Sequence, residues 1–315
     1  MPPDPPASLS LVAAPRWLSV RHDTSYAYDT PVALAHHVAH LRPRATEWQT
    51  VEDWALQIEP GADAEPVGML DVWGNWRHAF SHSSVHEHLQ VVSSCRVRVD
   101  PVPVPDAALS PAWERAAADL QYKADAVLPP QAAAAPEFSL PSPYAPRAPA
   151  LAAFATQVFT PGRPLLEAAI ALMHLVHQQF EYLPHSTTVA TAALQALAQR
   201  QGVCQDFAHV MIGALRSLGL AARYVSGYIL TQPAPGEPRL VGADASHAWV
   251  AVWCPVLGWV ALDPTNAVLA GVDHVSVAWG RDYGDVAPLR GVIRGGGSAL
   301  PRVGVTVAPL EETGE

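Results

Sequence analysis

Three residues of this chain, Cys204, His247 and Asp263, are the ones whose types and order suit covalent chemistry. A thiolate is a strong nucleophile, and an imidazole beside it takes or holds the thiol proton. A carboxylate that orients the imidazole and stabilises its charged form completes the set. Such a set performs acyl transfer through a thioester. Cys204 opens an apolar helical pattern that ends at Leu218-Gly219, which places the sulfur at a helix N-terminus, where the macrodipole and unpaired N–H groups favour a thiolate. The backbone N–H of Cys204 is also a candidate oxyanion donor. Free cysteine is among the most buried residue types, so Cys204 alone is explained at least as well by packing. A histidine and an aspartate on downstream strands tip that balance.

The elements that must position these residues can be read from periodicity. Phe207, Met211, Leu215 and Leu218 mark the inward face of the helix, and Cys204 lies three residues before Phe207 on the same side. Beyond Gly219 the period changes to two over 222–230, 247–254 and 259–263, with a tight connection at 255–258. The sulfur is expected to point toward the sheet, where His247, Trp249, Ala251 and Trp253 share one strand face. Asp263 joins that face only if opposing residue numbers in the hairpin add to an even total. Upstream, Thr160-Pro161 starts a helix carried by Leu166, Ile170, Met173, Val176 and Phe180, and another runs over 191–200 up to Gly202.

From residue 16 to 100 the segments read as strands with turns, one of them at 71–75. Eleven prolines fall between 101 and 149, and proline removes backbone donors and fixes φ. The expected organisation is a β-rich N-terminal domain over 1–100, a Pro/Ala-rich linker over 101–150 with one short helix near 113–122, and a catalytic domain over 151–315.

Gly202-Val203-Cys204-Gln205-Asp206-Phe207-Ala208-His209, Leu215-Arg216-Ser217-Leu218-Gly219, Ala222-Arg223-Tyr224-Val225-Ser226-Gly227-Tyr228, Ser246-His247-Ala248-Trp249, Gly258-Trp259 and Asp263-Pro264-Thr265-Asn266 resemble, in that order, the core of bacterial transglutaminase-like proteins. The resemblance covers roughly 160–290. The segment 26–100, with 36–43 and 71–75, is similar to the β-rich region that precedes this core in bacteria. It implies an α+β fold with a papain-like core, helices packed on an antiparallel sheet, after an all-β N-terminal domain. It also implies Cys204, His247 and Asp263 as the catalytic set. A side-chain oxyanion donor is implied too, for which Tyr182 and Gln205 are candidates.

Other features are assigned blander roles. Trp249, Trp253 and Trp259 could line an acyl-donor groove, but tryptophans beside a hairpin are more often core, and packing is expected for two of the three. His82, His86 and His88, like His36, His37 and His40, lack a carboxylate or thiol to complete a tetrahedral metal set. His209 diverges from Cys204 by about 140° around the helix and reads as packing. Asp206 in the first turn reads as a cap. No metal or cofactor is expected.

The net charge is −10 and Lys123 is the only lysine, so nucleic acid is not an expected partner. The apolar stretch 249–262 is broken by Pro255 and Gly258 and is too short to span a bilayer, so no membrane association is expected. Residues 1–20 read as a frayed leader, not a secretory signal. Cys95, Cys204 and Cys254 are too few and too irregular for a disulfide framework, which fits a reducing, cytoplasmic setting.

The function these features predict is a cysteine enzyme acting on peptide or side-chain amides, with water as acceptor, since amine transfer needs a dry, shaped channel. Glutamine-directed amine transfer is the first alternative. A non-catalytic peptide-binding module retaining the fold is another, opposed by the presence of all three residues. Small-molecule acyl transfer from a thioester carrier lacks a phosphate cradle.

Overall fold

The computed structural model describes residues 14–121, 132–184, 191–231 and 246–310. Leu18, Val20, His22 and Thr24 are buried and alternate with the more exposed Trp17, Ser19, Arg21 and Asp23, the pattern of a strand covered on one face. That strand, β1 (Arg16–Ala39), is followed by β2 (Gln49–Glu59), β3 (Val67–Leu70), β4 (Trp76–His82) and β5 (His86–Val99). Together they form a sheet in the order β2-β5-β1-β4-β3.

The chain then forms α1 (Trp113–Asp119), α2 (Pro149–Ala155), α3 (Leu165–Gln179), the short β6 (Glu181–Tyr182), α4 (Ala193–Gln199), β7 (Gln201–Gly202) and α5 (Cys204–Ser217). A second antiparallel sheet follows, from β8 (Ala222–Ile229), β9 (Ser246–Cys254), β10 (Gly258–Asp263), β11 (Val268–Leu269) and β12 (His274–Gly280), ordered β11-β10-β9-β8-β12. After α6 (Tyr283–Val286), β13 (Leu289–Gly295) and β14 (Arg302–Pro309) close the described chain. The α+β class and the β-rich N-terminal part agree with expectation.

Two expected boundaries do not match the strand pairing. β13 and β14 both pair with β1, so residues 289–309 complete the first sheet and do not extend the second. The reason is the length of β1: its first half lies between β5 and β14, and beyond the irregularity near Val32 its second half lies between β4 and β13. Nor is 101–150 a free linker in its described part. Arg216 of α5, fully buried, donates to Phe138 O at 2.8 Å, Ser142 Oγ at 2.9 Å, Ala222 O at 2.8 Å and Arg281 O at 2.7 Å. A buried guanidinium needs such acceptors, and here two of the four come from the proline-rich segment. Burial, partly offset by Asp282, brings its pKa down to about 10.

Twelve of the fourteen residues of α5 are buried, which marks a central helix covered on all sides. It stops where Gly219 takes φ +82°, with Gly219 N–H donating to Arg216 O at 3.0 Å and Leu220 N–H to Leu215 O at 3.1 Å. Phe207 and Met211 share a core with Ala248, Val250, Val252 and Cys254 of β9, whereas Trp249 and Ala251 cluster on the opposite face with Val225, Trp259 and Trp279. The helix therefore packs on the face of β9 that does not carry His247.

The junction of the two sheets is polar and specific. β12 is an edge strand, whose free N–H and C=O groups need partners. The Gln49 side chain accepts from Ser276 N–H and donates to Ser276 O, both at 2.8 Å. The Asn75 side chain treats Trp279 the same way, at 2.9 and 2.8 Å. Each amide thus stands in for one residue of a neighbouring strand. His22 adds a hydrogen bond to the Tyr228 hydroxyl at 3.0 Å. Among the described residues, no helix is long and apolar enough to cross a membrane.

Candidate active site

Cys204 is the first residue of α5 and is only partly buried. Val203 caps the helix backbone, but a valine side chain has no acceptor, so only half of a capping box exists: the Asp206 carboxylate accepts from Val203 N–H at 2.8 Å. The carboxylate lies over Gly202, where an added Cβ would sit 2.6 Å from Asp206 Oδ2. Glycine at 202 is therefore a steric requirement of the cap that starts the helix. As the first helical residue, Cys204 has a backbone N–H with no intrahelical acceptor.

Tyr182 pairs with Gly202 through the two-residue ladder of β6 and β7, and Leu183 N–H donates to Gly202 O at 2.9 Å. This ladder brings Tyr182 beside the start of α5, half exposed at 49%, with its ring edge on Phe207 at 6.3 Å. Burial raises its phenol pKa, and the charge of Cys204 raises it further. Gln205, the other oxyanion candidate, is buried at the second position of α5.

His247 stands opposite Gly227 on β8. In the β9–β10 hairpin Trp259 pairs with Trp253 and Leu262 with Val250, so opposing numbers add to an even total and Asp263 shares the face of His247, one pair removed. The imidazole Nε2 meets Asp263 Oδ2 at 2.7 Å. Burial acts against a charged His247, but its hydrogen bonds to Asp263 and then Cys204, with their charges, outweigh it and raise its pKa to about 10. Nε2 is committed to Asp263, which leaves Nδ1 to face the sulfur. Cys204 Sγ itself lies 4.0 Å from Ser246 O, at the end of β9. The helix start thus reaches His247 past the end of the strand.

Asp263 is fully buried and has five donors. Oδ2 accepts from His247, from His274 Nε2 at 3.2 Å and from Asn266 Nδ2 at 2.7 Å. Oδ1 accepts from the backbone N–H groups of Thr265 at 2.9 Å and Asn266 at 3.2 Å. Burial alone would raise this carboxyl, yet the bonds from His247 and His274 hold it well below the usual carboxylate range. His177 of α3 bonds Thr265 O at 2.9 Å and so holds the same turn from outside.

His274 and Asn266 were not among the residues expected from sequence. Asn266 lay within a quoted motif, and its position three residues after an aspartate was a signal for a turn. His274 offered none, because it sits on β12 and meets Asp263 only through the folded sheet.

Trp249 is 1% exposed and packs against the rings of His247 at 5.9 Å and His274 at 5.3 Å. It supports the histidines from behind and does not border an open groove, which corrects its candidacy as a substrate contact. His209 is fully buried, accepts from Tyr283 N–H at 3.2 Å and stacks on Tyr144. Burial lowers its pKa to about 3, as befits a packing residue.

Among the described residues, His247, Asp263 and His274 are the group close enough to share a metal ion. Gly271 N–H points at His274 Nδ1, at 3.3 Å, which places the ring proton on Nε2 and removes that lone pair from any metal. The arrangement fits a hydrogen-bonded carboxylate between two imidazoles.

The sequence matches two family models, the bacterial transglutaminase-like N-terminal region over residues 18–98 and the transglutaminase-like superfamily over residues 152–264. An uncharacterised protein of Mycobacterium tuberculosis is 37% identical over 320 residues, covering 99% of this chain and 98% of its own. A protein-glutamine gamma-glutamyltransferase of Pseudomonas aeruginosa is 35% identical over 106 residues, 31% of this chain and 16% of that protein. A solved structure, a candidate cysteine protease from Cytophaga hutchinsonii, superposes with a TM-score of 0.72 at 20% identity, covering 96% of this chain and 93% of that one. That likeness is one of fold.

Proposed function

The chain belongs to the transglutaminase-like superfamily, in the bacterial form that carries its own N-terminal region, and from that premise we propose a cysteine amide hydrolase with Cys204 as nucleophile. The observation that carries the reading is the position of His247, hydrogen-bonded to Asp263 at 2.7 Å and raised in pKa by both Asp263 and Cys204.

In the proposed cycle the Cys204 thiolate attacks the amide carbon and the oxygen gains the negative charge. The unpaired N–H of Cys204 receives that charge, with Tyr182 and Gln205 the side-chain candidates. The tetrahedral intermediate collapses as His247 gives its proton to the departing nitrogen, leaving a thioester. His247 then takes a proton from water, hydroxide adds to the thioester, and the thiolate leaves with the imidazolium restored. Asp263 keeps its charge throughout, holding the ring by Nε2 and stabilising it when protonated. The substrate is a peptide or protein amide, and a reducing, cytoplasmic setting belongs to the same proposal.

Transfer to an amine is the second reading, supported by the partial likeness to the Pseudomonas aeruginosa gamma-glutamyltransferase. One experiment addresses both. Wild type and Cys204→Ala would be incubated with glutamine-containing peptides, with and without a primary amine, and ammonia, amine incorporation and backbone cleavage followed by mass spectrometry. Hydrolysis predicts ammonia or cleavage with no dependence on amine, and an acyl adduct on Cys204 after rapid acid quench. Amine-dependent incorporation as the main product would replace the hydrolase reading with the transferase. The same products from Cys204→Ala would overturn both.

A further inference from the structure

A column of alternating rings and cations stands at the junction of the sheets. The Arg223 guanidinium carbon lies 4.3 Å from the centre of Trp259 and 3.7 Å from that of Trp279, and the Arg44 carbon lies 3.4 Å from Trp279. Two guanidinium groups that close to one ring centre must take opposite faces of it. The order is therefore Trp259, Arg223, Trp279, Arg44, with Arg44 from the first sheet's side and the other three from the second sheet.

Arg44 has an acceptor, Asn75 Oδ1 at 2.5 Å, and Asp71 lies within electrostatic reach. Arg223 has neither a hydrogen-bond acceptor nor an ion pair among the described residues, and its Nε is buried without a partner. The charge that registers at Arg223 is that of Arg44, of like sign, which together with burial lowers its pKa well below the ordinary value. Yet the chain carries 29 acidic residues against 19 basic ones. A cation held among aromatic rings next to a second cation, with no carboxylate turned toward it among the described residues, lacks its counter-charge there.

A purely structural role explains only half of this. Arg44 bridges the two sheets, and Asn75 already ties Trp279 by two hydrogen bonds. Arg223 sits inside the second sheet, opposite Ala251, so its charge contributes nothing to that bridge which an uncharged side chain would not. We propose that Arg223, sandwiched between Trp259 and Trp279 with Arg44 adding positive potential from the far face of Trp279, forms a binding site for the carboxylate of an acidic peptide side chain.

The stacking dictates the ligand's shape. With ring faces above and below, a guanidinium leaves only its N–H edge for a ligand, and a planar carboxylate pairs with that edge in its own plane, fork to fork. Aromatic walls exclude water from the pair and favour the peptide's apolar stem. Arg223 is four residues along the sheet from Gly227, the partner of His247, roughly 13 Å at strand spacing. It is a site apart from the thiol, and it does not depend on the acyl-transfer reading.

The test is calorimetric titration of the full chain at low salt with three probes: N-acetyl-glutamyl-methylamide, its leucyl counterpart and inorganic phosphate. Cys204 is first blocked with iodoacetamide, so that the outcome is separate from any turnover. The glutamyl probe should bind at one site, at least about tenfold tighter than the leucyl probe, and weaken steeply with salt. Arg223→Gln should abolish that preference, and Arg223→Lys should keep only part of it, since an ammonium lacks the planar fork. Equal binding of the glutamyl and leucyl probes in wild type would overturn the proposal, whether or not the variants fold. So would a preference that survives in folded Arg223→Gln, or binding of phosphate without the carboxylate.

Discussion

Replacing Asp263 by asparagine preserves volume and removes one charge, and its cost can be worked from the contacts. The carboxylate accepts five hydrogen bonds, three on Oδ2 and two on Oδ1. An amide has one acceptor and one donor end, so in either orientation its NH₂ faces other donors. If the amide oxygen replaces Oδ2, the Thr265 and Asn266 N–H groups lose their acceptor. The charge-assisted bond to His247 is weakened as well. A buried group left unsatisfied costs about 1–3 kcal/mol, and breaking a buried ion pair about 3–5 kcal/mol. The rise of the His247 pKa from 6.5 to about 10 corresponds to about 4–5 kcal/mol, a ceiling shared between Asp263 and Cys204.

We therefore expect Asp263→Asn to lose about 3–5 kcal/mol, a fall in Tm of roughly 5–8 °C for a chain of this size. The loss must depend on pH. His247 has a raised folded pKa, so its contribution is complete below the unfolded value near 6.5 and disappears as pH rises through about 10. Asp263 has a depressed one, so its contribution is present above the ordinary carboxylate pKa and disappears in acid. The gap in Tm between wild type and Asp263→Asn should be widest between about pH 4.5 and 6.5 and narrow toward pH 10. Melting curves by circular dichroism in that range decide it. A gap that is the same at pH 6 and pH 10, or no gap at all, would refute the account of this ion pair.

Three further outcomes follow from the geometry. His274→Gln, which can still donate to Asp263, should slow Cys204-dependent turnover by about tenfold or less, and His274→Ala by more, because a buried carboxylate then loses one donor; equal rates for wild type and both variants would leave His274 without a positioning role. Gly227→Ala should cost about 3 kcal/mol or more in urea unfolding, since the new Cβ would lie 2.0 Å from Val275 O and 2.6 Å from Trp249 Cη2. Gly202→Ala should displace the Asp206 carboxylate from its place over residue 202 and reduce both stability and the reactivity of Cys204, which a melting curve and an alkylation rate would report together.

Much of the candidate site was legible because it rests on local rules. A helix that starts at Cys204, a strand that starts near His247 and a Pro255-centred hairpin ending at Asp263 each have short-range signals, whereas the parity of the hairpin register stayed open until the pairing of Trp253 with Trp259 fixed it. The packing face of β9 was not legible. Both of its faces are apolar, Ala248, Val250 and Val252 on one and Trp249, Ala251 and Trp253 on the other, as in any sheet covered on two sides. The return of β13 and β14 to β1 was hidden for a different reason: pairing of residues about 250 or more positions apart leaves no local pattern. His274 escaped because it lies on β12 and meets Asp263 only through the folded sheet.

The most direct test of the central claim is the rate of alkylation of each cysteine by iodoacetamide from about pH 5 to 9, in wild type and in His247→Ala, read by peptide mass spectrometry. Cys254 is buried, and burial pushes the Cys95 thiol up to about 12. The account predicts that Cys204 reacts at least about tenfold faster than either below pH 7, and that this acid-side reactivity collapses in His247→Ala. Equal rates at the three cysteines, or a Cys204 profile unchanged by loss of His247, would contradict it.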